Sequence, residues 1–251
     1  MEIAFTKYWP NCAKGAMELC SRVKDNRRGE IMKIAVLGSG MVGNTIATKL
    51  VQLGHQVMMG SRTSKSEAGQ EWLRSVGGKA QIGTFADAAG FGEIVFDCTN
   101  GANSLTALRA AGANNLRGKV LVNVGNPLDF GKGMPPTLTV CNTDSLGEQV
   151  QREFPEALVV KALNTVNCEV MVQPSLVPGD HHLFICGNDT GAKSKVSGWL
   201  GDWFGWKAEN IVDLGDITGA RGMEMWMPIW LRLFGKFGHP HFNVRLSIGT
   251  K

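Results

Sequence analysis

The chain has no long Lys/Arg cluster interleaved with exposed aromatics, and its formal net charge is only +4. A nucleic-acid surface is therefore not indicated. Its six cysteines, Cys12, Cys20, Cys98, Cys141, Cys168 and Cys186, contain no C-x-x-C pair and no metal-ligand spacing. That excludes a recognisable zinc site or disulfide framework and makes reduced thiols the default. His181-His182 and His239-Pro240-His241 lack a companion set of Cys, Asp or Glu, so they read as strand-end or loop residues and no metal is expected. The most apolar segment, Ala220 to Phe237, is interrupted by Arg221, Glu224, Arg232 and Lys236. A membrane span needs about 20 apolar residues in succession, so none is expected. Residues 1–31 carry six basic residues from Lys7 to Arg28 without the apolar stretch of a secretory signal. The expected location is cytoplasmic. No repeat or low-complexity tract occurs. With 43% hydrophobic and 19% charged residues among 251, the chain suits one large α/β domain, with or without a small appendage.

What is present starts at Lys33. The stretch Lys33-Ile34-Ala35-Val36-Leu37 is a β-branched strand, and Gly38-Ser39-Gly40-Met41-Val42-Gly43 follows it directly. A helical pattern then runs through Ile46, Ala47, Leu50 and Val51. Strand, Gly-x-Gly-x-x-Gly and helix in that order are the frame that binds a dinucleotide. Gly38 permits the tight turn, Gly40 lets backbone approach a pyrophosphate, and Gly43 lets the helix pack on the strand. The helix N-terminus offers unpaired N–H groups to phosphate.

Which dinucleotide is set at the end of the second strand, about twenty residues on. That strand, His55 to Gly60, runs into Ser61-Arg62-Thr63-Ser64-Lys65. An NAD site would place Asp or Glu here for the ribose 2′-hydroxyl. Hydroxyls, a guanidinium and an ammonium favour a 2′-phosphate instead, hence NADP. The alternative is a solvated basic loop.

Further strands are expected at Ala80–Gly83, Glu93–Cys98, Lys119–Val124, Leu158–Ala162, His182–Cys186 and Ile211–Gly215, with helical patterns between them. The fold class is α/β, a Rossmann-type doubly wound and mainly parallel sheet with a small C-terminal part. Ligands of such sheets lie beyond the carboxyl ends of the strands. Thr99 and Asn100, and Val124 and Asn126, are therefore expected to face the cofactor, plain turn chemistry being the alternative. Val196, Trp199, Leu200, Trp203 and Phe204 form one apolar helical stripe. Ala220 to Phe237 reads as one helix kinked by Pro228. Its Met and Trp residues occupy more than one face, which calls for cover from a second subunit, so a homodimer is expected.

Lys33 to Gly43, Gly60-Ser61-Arg62, Val160 to Thr165, Cys186-Gly187-Asn188-Asp189 and Asp213-Leu214-Gly215 with Ala220-Arg221 together resemble the NADP oxidoreductases dependent on coenzyme F420. The same pattern is similar to the cytosolic reductase module of the STEAP metalloreductases, without their membrane domain. The resemblance spans Met32 to about residue 240. It implies an enzyme that moves a hydride between NADPH and a deazaflavin or flavin ring. Gly38 through Val42 would hold pyrophosphate, Ser61, Arg62 and Lys65 the 2′-phosphate, and Ala162 to Thr165, including Asn164, would lie near the two rings. Residues 1–31 sit outside the fold pattern as an extension of unknown role, and the remainder divides into an NADP-binding domain at 32–165 and a C-terminal part at 166–251 that the resemblance implies completes the second-cofactor cleft. No side chain is nominated as catalytic, because the cofactors carry the chemistry. A reductase of a small substrate, of free flavin or of a ferric chelate stays open, as does a non-catalytic NADP sensor.

Overall fold

The computed structural model describes residues 30–249. The short amphipathic helix expected through Ala16, Leu19, Cys20 and Val23, and with it nearly all of the extension at 1–31, lies outside the described residues.

Eight strands form one sheet: β1 (Lys33–Leu37), β2 (Gln56–Ser61), β3 (Ala80–Thr84), β4 (Ile94–Asp97), β5 (Val120–Asn123), β6 (Leu158–Ala162), β7 (Leu183–Gly187) and β8 (Ile211–Asp213). Their order across the sheet is β8-β7-β6-β5-β4-β1-β2-β3. The first six run parallel. β7 pairs antiparallel with β6, and β8 parallel with β7. The expected Rossmann-type, mainly parallel sheet is therefore present, and strands from both sides of residue 165 belong to it.

Alternation along each strand feeds two apolar layers, because successive side chains leave opposite faces. Ile34, Val36, Ile94, Phe96, Val120, Val122, Val160 and Ala162 meet α1 (Met41–Gln52), α2 (Glu67–Val76), α6 (Cys168–Val172) and α7 (Thr190–Trp199) on one face. Ala35, Leu37, Val95, Leu121 and Val159 meet α3 (Phe85–Phe91), α4 (Ser104–Ala111), α5 (Leu146–Glu153) and α8 (Ala220–Met225) on the other. All five residues of the expected stripe join the first apolar layer. Val196, Leu200 and Phe204 are buried, and Trp199 and Trp203 stack with ring centroids 5.2 Å apart.

The segment expected as one kinked helix is two helices, α8 and α9 (Met227–Phe237), with Trp226 between them. Pro228 has no N–H to give the Glu224 carbonyl, so it ends one helix and sits in the first turn of the next. Among the described residues no helix is long and apolar enough to cross a membrane.

Candidate functional site

The carboxyl ends of β2, β1, β4, β5 and β6 lie side by side along one edge of the sheet. Each expected site residue is on that edge. Gly38 has φ +110° and its N–H donates to the Gly60 carbonyl at 2.8 Å, tying the glycine turn to the end of β2. A Cβ on Gly43 would lie 1.9 Å from the Gly38 carbonyl oxygen, which no packing could absorb. A Cβ on Gly40 would meet nothing within 4 Å. The protein itself therefore leaves open space beside Gly40. Gly40 caps α1 without a side-chain hydrogen bond, so the first-turn N–H groups face outward uncovered. Ser39 and Val42 are half-buried, and Met41 is exposed. The turn accordingly fits a pyrophosphate.

At the end of β2 the Ser61 hydroxyl donates to the Thr63 carbonyl at 2.6 Å and folds the loop back on itself. Arg62 and Lys65 extend from that loop exposed to solvent. Beyond β4, Thr99 donates its hydroxyl to Asp97 at 2.6 Å, and the Asn100 side-chain oxygen accepts from the Ala102 N–H at 3.0 Å. Both side chains do turn work, leaving the Asn100 amide nitrogen and the backbone to face outward. Val124 and Ala162 are buried in the core, so only their backbone can meet a ligand. Asn126 and Asn164 come together. The Asn126 amide donates to the Asn164 carbonyl at 2.8 Å, and the Asn164 amide to the Asn126 side-chain oxygen at 2.9 Å. Between Ala162 and Asn164, buried Leu163 has φ +67°, a left-handed conformation that a bulky residue adopts only when its surroundings impose it.

A second set of polar residues lies directly beneath this edge. Asp97, Asn123 and Lys161 are register partners across β4, β5 and β6, and all three are fully buried. Asp97 accepts from Thr99, from Ser104 and, at 2.8 Å, from the Asn123 amide. The Lys161 ammonium donates to the Asn123 side-chain oxygen at 2.7 Å and to the Gly125 carbonyl, and pairs with Glu224 at 2.8 Å. Glu224 in turn accepts from the backbone N–H groups of Leu146 and Gly147 at 2.8 and 3.0 Å. Motif spacing does not mark this row, but the strand sequences carry a signal for it. Each of three successive apolar strands carries one polar residue near its carboxyl end, and the three fall in register. Burial pushes the Cys98 thiol well above its ordinary range, with neighbouring Asp97 adding to the effect. Cys186, beside Lys161 in the same row, is pushed up to about 12, mainly by burial. Neither is a thiolate at neutral pH.

Residues 33–127 match the family model of coenzyme F420-dependent NADP oxidoreductases. The metalloreductase STEAP3 of Rattus norvegicus is 30% identical over 197 residues, and the match covers 78% of this chain. The chain spans only 36% of that relative's length. A reductive aminase from Aspergillus terreus shares the fold at 16% identity, with a TM-score of 0.59 over 83% of this chain and 63% of its own. A crystal structure from Arthrobacter sp. FB24, named as a candidate F420-dependent NADP-reductase, is 48% identical with a TM-score of 0.81. It is matched over 86% of this chain and all of its own. With that identity over an entire relative, and the family model on its glycine turn and first strands, the chain belongs to the coenzyme F420-dependent NADP oxidoreductases.

Proposed function

We propose that this enzyme transfers a hydride between NADPH and the planar ring of a deazaflavin, coenzyme F420, or of a flavin. In this reading Gly38, Ser39, Gly40, Met41, Val42 and Gly43 surround the pyrophosphate, and Arg62 and Lys65 take the 2′-phosphate, with Ser61 joining them once its hydroxyl turns away from the Thr63 carbonyl. Thr99, Asn100, Val124 and Asn126 border the nicotinamide half, and Ala162 and Asn164 lie toward the ring that exchanges hydride with it. When bound, the nicotinamide supplies or takes the hydride. The residues of this chain set distance and orientation and keep the site dry.

One observation carries the choice of acceptor class. Among the described residues, the ionisable side chains Asp97, Lys161 and Glu224 under the edge are buried and already engaged, Lys161 with Glu224 directly and Asp97 with Lys161 through the Asn123 amide. Reducing a carbonyl or imine calls for a protein group that delivers a proton, whereas hydride exchange between two rings does not. A site whose acids and bases are already committed suits the second reaction. The test is anaerobic mixing of the NADPH-loaded protein with coenzyme F420, FMN, FAD and a ferric chelate in turn, followed by absorbance. Fastest reduction of coenzyme F420 or a flavin is the expected result. Reduction of the chelate alone, or tight NADPH binding with no reduction at all, overturns the proposal. We further propose that two copies associate through α9.

A further inference from the structure

We infer that Lys161 and Glu224 are positioning residues, a buried ion pair that fixes the C-terminal helix α8 against the cofactor edge and so sets the gap in which the acceptor ring sits. The inference rests on the hydride-transfer reading for its functional consequence, but the tie itself does not.

The geometry saturates both ends of the pair. An ammonium has three protons to donate. Lys161 has three acceptors: the Asn123 side-chain oxygen, the Gly125 carbonyl and Glu224. Asn123 cannot turn, because its amide is engaged by Asp97, which also holds the Thr99 backbone N–H at 3.2 Å. The chain Thr99–Asp97–Asn123–Lys161 therefore links the loops after β4 and β5 to β6. Glu224 carries the link onward. It takes the first two N–H groups of α5 with the same carboxylate that holds Lys161, so one side chain joins β6, α5 and α8.

A second tie lies one residue away. The Asn164 amide donates to the Met223 carbonyl at 3.1 Å, next to Glu224 in α8. Lys161 and Asn164 thus grip α8 from either side of Leu163, whose left-handed backbone needs such constraint.

Packing alone does not explain the pair. Two charges withdrawn from water recover little net stability, and apolar residues of similar volume usually hold a core at least as well. What an apolar pair lacks is direction. Directed bonds from one ammonium to two strand-end loops and one helix specify register, and register is what ring-to-ring transfer demands.

The experiment uses the full chain with Lys161→Met and Glu224→Leu combined, and Glu224→Gln alone as a shape-preserving second variant. Three readouts are taken: NADPH affinity by calorimetry, amide exchange at Leu146 and Gly147 without ligands, and kcat and KM with the fastest acceptor. For at least one folded variant, NADPH affinity should stay within about threefold while amide exchange at Leu146 and Gly147 accelerates. The turnover ratio kcat/KM for the acceptor should fall about tenfold or more, as a misplaced reacting group predicts. Unchanged exchange at both amides overturns the tie. Faster exchange with unchanged kcat and KM, or NADPH affinity falling in step with turnover, overturns the positioning role. Should the wild type reduce no acceptor, the hydride-transfer reading fails, and the exchange data still decide the tie.

Discussion

Two glycines three residues apart make separable demands on the same turn. Gly43 has no room for a methyl group inside the protein, since its Cβ would overlap the Gly38 carbonyl, whereas Gly40 has open space. Gly43→Ala should therefore destabilise the fold itself, by at least the 1–3 kcal/mol, roughly, of an overpacked core. Gly40→Ala should cost less than about 1 kcal/mol as a change of helix cap, yet weaken NADPH severalfold or more, because only the ligand would collide with it. Thermal melts with and without NADPH separate the two, and a Gly40→Ala protein with wild-type affinity would argue against pyrophosphate at this turn. The same residue-scale reasoning applies to Arg62. A charge-assisted hydrogen bond is worth about 1.5–3 kcal/mol, so NADPH should bind at least about tenfold more tightly than NADH, and Arg62→Asp should abolish that preference. Calorimetry with both nucleotides checks it. A preference surviving in Arg62→Asp would assign the 2′-phosphate to Lys65 or to other groups.

At the scale of elements, the start of α5 concentrates charge. Glu148 is held below its ordinary 4.5, first by hydrogen bonds from the Arg221 guanidinium at 2.9 and 2.6 Å, with Ser145 adding to the effect. Asp144 is held well below 3.8, first by Arg152. A carboxylate whose folded pKa is depressed contributes stability that is complete above its unfolded pKa and is lost as pH falls through the folded value. Stability should accordingly decline from about pH 4.5 downward, and Arg221→Ala should flatten the part due to Glu148. Urea unfolding between pH 7 and pH 3 measures both slopes, and equal slopes in the two proteins would remove Arg221 as the cause. Much of this architecture was legible from the chain alone. The six parallel strands follow the apolar runs, and the glycine turn and the Ser61-Arg62 loop lie where their motifs place them. What escaped was set by distant contact. The direction of β7 depends on how residues 163–182 cross the sheet, which periodicity along one strand does not encode. Lys161 and Glu224 are 63 positions apart in the numbering, so a lysine ending one strand and a glutamate inside an apolar helix look unrelated until the fold joins them. The break at Trp226 was half visible. Pro228 marks it, but the loss of one carbonyl's partner reads equally as a kink or as an ending.

Across the whole molecule, the surface of α9 raises the question of assembly. Trp230 is already buried by its own chain, stacking on Phe234 and Phe242 at 5.6 and 5.3 Å, so it is not the residue a partner must cover. The outward-facing apolar side chains are Met225 at the end of α8 and Ile229 and Phe237 along α9, with half-buried Leu233 between the last two. Met225 is 40% exposed, and Ile229 and Phe237 are each 51% exposed. Residues four apart lie on one side of a helix, so Ile229, Leu233 and Phe237 form an apolar strip along α9 rather than scattered contacts. Arg232 and Lys236 flank the strip, and their long stems can lie along apolar surface while the charges stay in water. A second copy is the simplest occupant, because a two-fold axis brings the same strip against itself and buries both at once. In that proposed assembly Ile229→Glu with Phe237→Glu should yield a monomer that keeps the core intact, although Phe237 gives up its edge contact with Phe242. Sedimentation or native mass measurement, with a thermal melt as control, tests this. Wild-type protein that is monomeric at micromolar concentration sinks the dimer, and a dimer that survives both glutamates moves its interface to another face.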